Sequence, residues 1–227
     1  VNPTRRSYIL SAAVAPLPNR ANLAYSPGQL AKYVDYISVM AYDMHGAWER
    51  TVGFNAPLLS SSNRSSPFND WSLESAVLYW KHHQRFPVER MNIGLSLYGR
   101  SFKLLHSHDI RPYYALNRGP GTAGPGTREA GVLSFVEIMD RYSPGNRTRR
   151  LFDWERMVPY VTDLIEWVTY DDLNSLLLKV EFSKCHNLGG LMFWALDYDD
   201  FLGRTGLVVK GETKYPLIRG CRDAAEN

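Results

Sequence analysis

The stretch YVDYISVMAYDMHGAWE, residues 33–49, opens as an apolar run and then breaks into a tyrosine, an acid, a histidine, a glycine and a tryptophan. The run YISVMAY (36–42) is short and nearly continuous, which predicts a strand apolar on both faces, as a parallel sheet covered by helices requires. In such sheets and barrels the carboxyl ends of the strands, with the loops that follow, form the binding face. A site is therefore expected where this strand ends.

Working outward, the same design recurs. SYILSAAVA (7–15) is a strand, SPGQLAKYV (26–34) a helix starting near Ser26 and Pro27, NDWSLESAVLYWKHH (69–83) a capped helix, and RMNIGLSLYG (90–99) a third strand. Between about 100 and 170 the rhythm changes. A Gly/Pro/Thr-rich loop, GPGTAGPGTREAG, precedes a helical LSFVEIMDRY and two stretches, LFDWERMVPYV and IEWVTYDD, that read as short antiparallel strands. Alternation resumes with the helix LNSLLLKVEFSKCH (173–186), the strand GLMFWALDYDD (190–200) and a closing segment, YPLIRGCRDAAE. This divides the chain into 1–100, an inserted α+β subdomain at 101–170, and 171–227.

The 227 residues suffice for one domain with a sizeable core. With 26 basic and 23 acidic residues the net charge is +3, and the one basic cluster, Arg147, Arg149 and Arg150, reads as a solvated loop, so no nucleic-acid partner is expected. No apolar stretch is long enough for a membrane helix, and VNPTRRSYIL does not read as a signal peptide. Because the chain opens on Val1, a segment upstream is expected. Sequons at Asn63 and Asn146 would accept glycans in a secreted protein.

Cys185 and Cys221, the two cysteines, lack metal-ligand spacing; they are either free thiols or a disulfide formed in an oxidising compartment. Asp197, Asp199 and Asp200 read as solvated or capping acids rather than a cation site. His82 and His83 fall on an exposed helix face, while His106 and His108 fit a metal only weakly without a third ligand. No cofactor is implied. His45 stands beside the expected site as a support for its loop.

Three of the four strands end in polar and aromatic groups, so Tyr42, Asp43, Tyr98, Arg100 and Trp194 are expected to converge on one pocket. Flat rings with a few acids and hydroxyls suit a sugar, whose C–H face stacks while its hydroxyls need directional partners. Each residue also has a plainer reading. Met40, Met192 and Trp194 could be core filler, and Asp43 could cap a turn or pair with Arg100.

At these positions the sequence resembles the family 18 glycoside hydrolases, which include chitinases and chitinase-like lectins. The correspondence covers nearly the whole chain. YVDYISVMAYDMHGAWE with VGFNAPL resembles the family's sixth barrel strand and its loop, MNIGLSLYGRSF the seventh, GGLMFWALDYDDF the eighth and LSAAVA the fifth, while GPGTAGPGTREAG resembles part of the inserted domain. The implied fold is α/β: a TIM-type (β/α)8 barrel, of which this chain holds strands five to eight, with a small α+β insertion.

The implied activity is retaining hydrolysis of β-1,4-linked N-acetylglucosamine assisted by the substrate's acetamido group. Tyr42 matches the residue holding that group and Asp43 the one hydrogen-bonding the distorted sugar, both supporting catalysis. Met40 matches the methionine under the pocket, with Met192 placed beside it among the substrate contacts. Tyr98 and Arg100 match subsite contacts, Trp194 the ring under the central sugar, and Trp48 an aromatic on the leaving-group side. Implied partners are chitin or chitooligosaccharides, and the implied location is extracellular.

The resemblance fails at one place. The family's general acid ends an Asp-x-x-Asp-x-Asp-x-Glu signature on the fourth strand, and that pattern occurs nowhere in this chain. Without it the contribution of general acid catalysis, roughly 100- to 10,000-fold, is lost. A half barrel would also leave two open sheet edges and an apolar inner face, which predicts poor stability, self-association or docking with a missing amino-terminal half. Three functions stay open: the carboxyl half of a chitinase, a non-catalytic lectin-like binder, and a remnant that neither binds nor cuts.

Overall fold

The structure, a computed structural model, describes residues 8–26, 28–61, 71–106, 115–143 and 147–226. Along the chain run β1 (Ser11–Val14), α1 (Pro18–Ala24), β2 (Tyr36–Val39), α2 (Leu73–His82), β3 (Met91–Ser96), β4 (Tyr98–Leu104), β5 (Asn117–Pro120) and β6 (Val132–Ser134). There follow α3 (Phe135–Arg141), β7 (Arg149–Asp153), β8 (Val158–Thr162), β9 (Glu166–Thr169), α4 (Leu173–Cys185), β10 (Gly190–Trp194) and α5 (Pro216–Glu226). Asn63, Asn146 and His108, named above as glycan acceptors and a histidine of interest, lie outside the described residues.

Strands β1, β2, β3 and β10 form a parallel sheet in that order. Its helix-facing side is apolar: Val14, Ile37, Val39, Met91, Ile93 and Leu95 pack with Leu73, Ala76, Val77 and Trp80 of α2, Leu176 and Val180 of α4, and Leu217 of α5. The other side differs from expectation. Ala13, Ser38, Asn92 and Gly190 stand in register across the sheet, followed by Gly94 beside Met192 and Ser96 beside Trp194. These strands are thus apolar on one face and small or polar on the other, with Ser11 and Ala13 exposed. Side chains alternate along a strand, so Ser, Asn and Gly at every second position mark a face that the helices do not cover.

The run at 90–99 divides at Leu97, whose N–H donates to the Trp194 carbonyl at 2.9 Å and ends the parallel pairing. From Tyr98 the chain pairs antiparallel with β6 and β9 in a second sheet of order β5-β4-β9-β8-β7. One face of this sheet packs Phe102, Tyr160 and Trp167 around Phe54; the other packs Val161 and Val168 against Ile138 of α3. Arg149 and Arg150 lie on β7 rather than in a loop, and Arg150 donates to the Tyr142 carbonyl at 3.2 Å.

The helix expected at 26–34 is only a single 3-10 turn, Leu30–Lys32, because Gly28 holds φ 71°, a left-handed conformation that a helix cannot absorb. The turn of chain before it does form a helix, α1, with proline in its first turn. The other helices start on side-chain caps: Ser72 with Ser75, Ser134 with Glu137, Asp172 with Ser175. Both cysteines are free, Cys185 exposed and Cys221 buried midway along α5 with its thiol pushed up to about 12 by burial and by the Asp171 and Asp199 carboxylates.

An ion pair lies deep inside the fold. Lys179 of α4 sits 2.5 Å from Asp171, just past β9, with both side chains almost wholly buried. Removing one partner of such a pair leaves an uncompensated charge in the core. Lys179→Met is therefore expected to lower unfolding stability by about 3–5 kcal/mol, measured by urea titration.

Candidate functional site

The site stands at the carboxyl ends of β2, β3 and β10. Just past β2 the chain turns at Asp43, whose φ of 57° lies in the left-handed region that Asp and Asn tolerate better than other side chains. That turn aims the Asp43 carboxylate at β4, where Oδ1 accepts from Tyr98 Oη at 2.5 Å, from Arg100 Nε at 2.8 Å and from Arg100 Nη2 at 2.7 Å. Asp43 pairs with Arg100, as its plainer reading has it, and also lines a cavity.

The Arg100 guanidinium stacks over the Trp48 ring at 5.2 Å and over the Tyr98 ring at 5.6 Å. Tyr98 packs edge-on to Tyr42, their centroids 6.0 Å apart, and lies 5.6 Å from Tyr198. Burial pushes the Tyr98 phenol well above its ordinary range, and the Asp43 charge that it faces pushes it the same way. Tyr42 is pushed up to about 12 by burial and then by Asp43. Both phenols are thus neutral donors over the whole physiological range.

Tyr42 Oη points at Met192 Sδ, 3.9 Å away, and Met40 and Met192 flank the buried cluster of Tyr42, Ala56, Tyr98 and Val132. Trp194 lies two residues beyond Met192 and so on the same face, at the sheet's carboxyl end, with 56% of its surface exposed. Trp48 is 61% exposed. A cavity of about 440 Å³ opens above these groups, lined by Met40, Tyr42, Asp43, Trp48 and Arg100, and closed by Asn19, Arg20 and Trp71. Tyr98 and Met192 touch the lining residues Asp43 and Tyr42 from outside the wall, and Trp194 is not part of the lining.

Sequence reasoning passed over the residues that hold this arrangement. Asn55, in the quoted VGFNAPL, accepts from the Asp43 N–H at 2.9 Å, and Asn19, Arg20 and Trp71 reach the cavity from segments with no strand-end signal. His45 supports the loop: its ring stacks on Trp71 at 5.1 Å and Nδ1 lies 2.8 Å from Glu49. Of the acids after β10, Asp199 and Asp200 bond backbone amides. Asp199 accepts from Ile218 N–H at 3.0 Å at the start of α5, and Asp200 from Arg204 and Thr205 N–H at 2.9 and 2.7 Å. Among the described residues no group of His, Cys, Asp and Glu is arranged to hold a metal, and no helix is long and apolar enough to cross a membrane.

The fold and this strand-end cluster define an α/β protein with aromatic rings and an acid gathered at the carboxyl ends of its parallel strands. Residues 2–199 match the glycosyl hydrolases family 18, and the chain belongs to that family, whose fold is a TIM barrel. It is 35% identical over 221 residues to Chitinase-3-like protein 2 of Homo sapiens, covering 96% of this chain and 54% of that protein. It is 34% identical to Chitotriosidase-1 of Mus musculus, covering 94% of this chain and 44% of that one. The chain therefore spans about half the length of these curated relatives or less.

Among solved structures, human YKL-39, studied in the presence of chitooligosaccharides, superposes with a TM-score of 0.90 at 32% identity, covering 99% of this chain and 59% of that one. An immunomodulatory active chitinase from Trichuris suis superposes at 0.88 with 37% identity, covering 95% and 57%.

Gly94 tests the packing under the site. A Cβ there would lie 2.7 Å from the Val39 carbonyl and 2.9 Å from the Tyr42 ring. Gly94→Ala is expected to cost about 1–3 kcal/mol in urea unfolding and to displace Tyr42, read from that residue's NMR ring resonances.

Proposed function

We propose that this chain contributes the sugar-binding face of a family 18 protein that binds chitooligosaccharides. The observation that carries this reading is the Asp43 carboxylate clamped by Tyr98 and Arg100, in one cavity with Tyr42 and the exposed Trp48 ring. Trp194 offers a ring for the C–H face of the central sugar, Tyr42 and Asp43 offer a donor and an acceptor to its acetamido group, and Trp48 and Arg100 serve the next sugar. Human YKL-39, described as a pseudo-chitinase with retained chitooligosaccharide binding, supports binding apart from turnover.

Hydrolysis belongs to the complete parent. The chain carries no Asp-x-x-Asp-x-Asp-x-Glu signature, so the group that would protonate the leaving oxygen comes from elsewhere in a longer chitinase, or is lost in a lectin-like protein. We assign β1, β2, β3 and β10 to barrel strands five to eight, and residues 101–170 to the insertion, its sheet starting slightly early at Tyr98. The outer strands β1 and β10 then pair with further strands of the parent or with a second copy. An extracellular location fits the sequons at Asn63 and Asn146.

Titration calorimetry with N-acetylchitotetraose tests the binding reading. The chain is expected to bind, Asp43→Ala and Trp194→Ala each to lose about tenfold or more in affinity, and a chromogenic chitobioside to stay uncleaved. Absence of binding, or two variants that bind like the parent sequence, would sink it. Size-exclusion chromatography over a concentration series is expected to show association, and a monomer at every concentration would contradict the open-edge assignment.

A further inference from the structure

Behind the site runs a line of buried polar groups that contact with a sugar does not explain. Lys179 Nζ lies 2.5 and 2.6 Å from the two Asp171 carboxylate oxygens and donates also to the Ala56 carbonyl at 2.6 Å. Asp171 Oδ1 accepts from Ser175 Oγ at 2.8 Å, and Oδ2 from Ser96 Oγ at 3.3 Å. Ser96 Oγ accepts from Asn55 Nδ2 at 3.3 Å, and Asn55 Oδ1 accepts from the Asp43 N–H at 2.9 Å. Asn55, Ser96, Asp171 and Lys179 are each 2% exposed or less.

The order of donors and acceptors along this line is forced. A carboxylate paired with a lysine only accepts, so the Ser96 hydroxyl hydrogen turns toward Asp171. Ser96 then has only lone pairs to offer Asn55, which presents its NH₂ there and to the Tyr98 carbonyl, 3.5 Å away. The Asn55 carbonyl oxygen is left facing the Asp43 N–H, at the residue with left-handed φ. Asn55 is itself fixed at its backbone, donating to Thr169 Oγ1 at 3.2 Å and accepting from the Met44 N–H at 3.0 Å.

We propose that Asn55 is a positioning residue for the binding site, and that the Lys179–Asp171 pair, acting through Ser96 together with the Tyr98 carbonyl, sets the orientation in which Asn55 holds the Asp43 turn. The polar chain connects α4 and the end of β9 to the end of β3 and the loop after β2. This role deepens the sugar-binding reading and rests on Asp43 being a sugar contact.

Ser96→Ala cuts the line with almost no change of volume, and Asn55→Ala removes its last member. Two quantities are measured on the full chain well below its unfolding midpoint: affinity for N-acetylchitotetraose, and NMR hydrogen exchange at the Asp43 and Met44 amides against the Val39 and Ile93 amides. Ser96→Ala is expected to weaken affinity about fivefold and to speed exchange at Asp43 by about tenfold, with Val39 and Ile93 unchanged; Asn55→Ala acts in the same direction and more strongly. Unchanged exchange at Asp43 in both variants, or equal acceleration at Val39 and Ile93, overturns the proposal. If the unsubstituted chain does not bind the tetrasaccharide, the sugar reading has failed and the exchange data alone decide the positioning role.

Discussion

A single carboxylate ties the open face of this protein together. Asp43 reaches from the end of β2 to Tyr98 and Arg100 on β4, and Arg100 in turn covers the Trp48 ring. The loop after β2 and strand β4 thus meet at one oxygen. The pair is partly exposed, so its free energy is modest; its value lies in geometry, since a short phenol bond and a forked guanidinium leave the carboxylate few orientations. The neutral Tyr42 and Tyr98 phenols follow from burial and from the charge they face.

What holds Asp43 is costly to build. Lys179 and Asp171 are a desolvated ion pair, and such pairs gain little net stability over apolar side chains of equal volume. Their attraction offsets their own dehydration, and the remaining hydrogen-bonding capacity is directed at Ser96, Ser175 and Ala56. The apolar core is built separately, between the helices and the buried face of the parallel sheet, and around Phe54 and Trp167 in the second sheet. Helix α4 serves both, giving Leu176 and Val180 to the apolar core and Ser175 and Lys179 to the polar line. The face of the parallel sheet turned from its helices keeps small and polar side chains on β1, β2 and β3, and Met192 and Trp194 of β10 stand on it.

Much of this was legible in the chain. Continuous apolar runs located β1, β2, β3 and β10, because a helix-covered strand needs bulk at every second position whatever lies between. For the same reason the runs concealed their faces: Ser38, Asn92 and Ser96 sit inside apolar stretches, and only pairing register shows that they share a side. The break at Leu97 was invisible because both neighbouring strands are apolar. Short elements without a period, such as β5 and β6, gave no signal. Tyr42, Asp43, Tyr98, Arg100 and Trp48 could be gathered because each follows a strand end, and the resemblance to family 18 supplied their roles. Asn55 and Ser96 could not, since their partners lie 41 and 75 positions away from Ser96 and the polar line exists only in three dimensions.

The most direct test is a crystal structure of the chain grown with N-acetylchitotetraose. The account predicts one sugar ring lying on the Trp194 indole with its acetamido group within hydrogen-bond reach of Tyr42 and Asp43. A tetrasaccharide ordered elsewhere on the molecule, with Trp194 and Asp43 untouched, would contradict it.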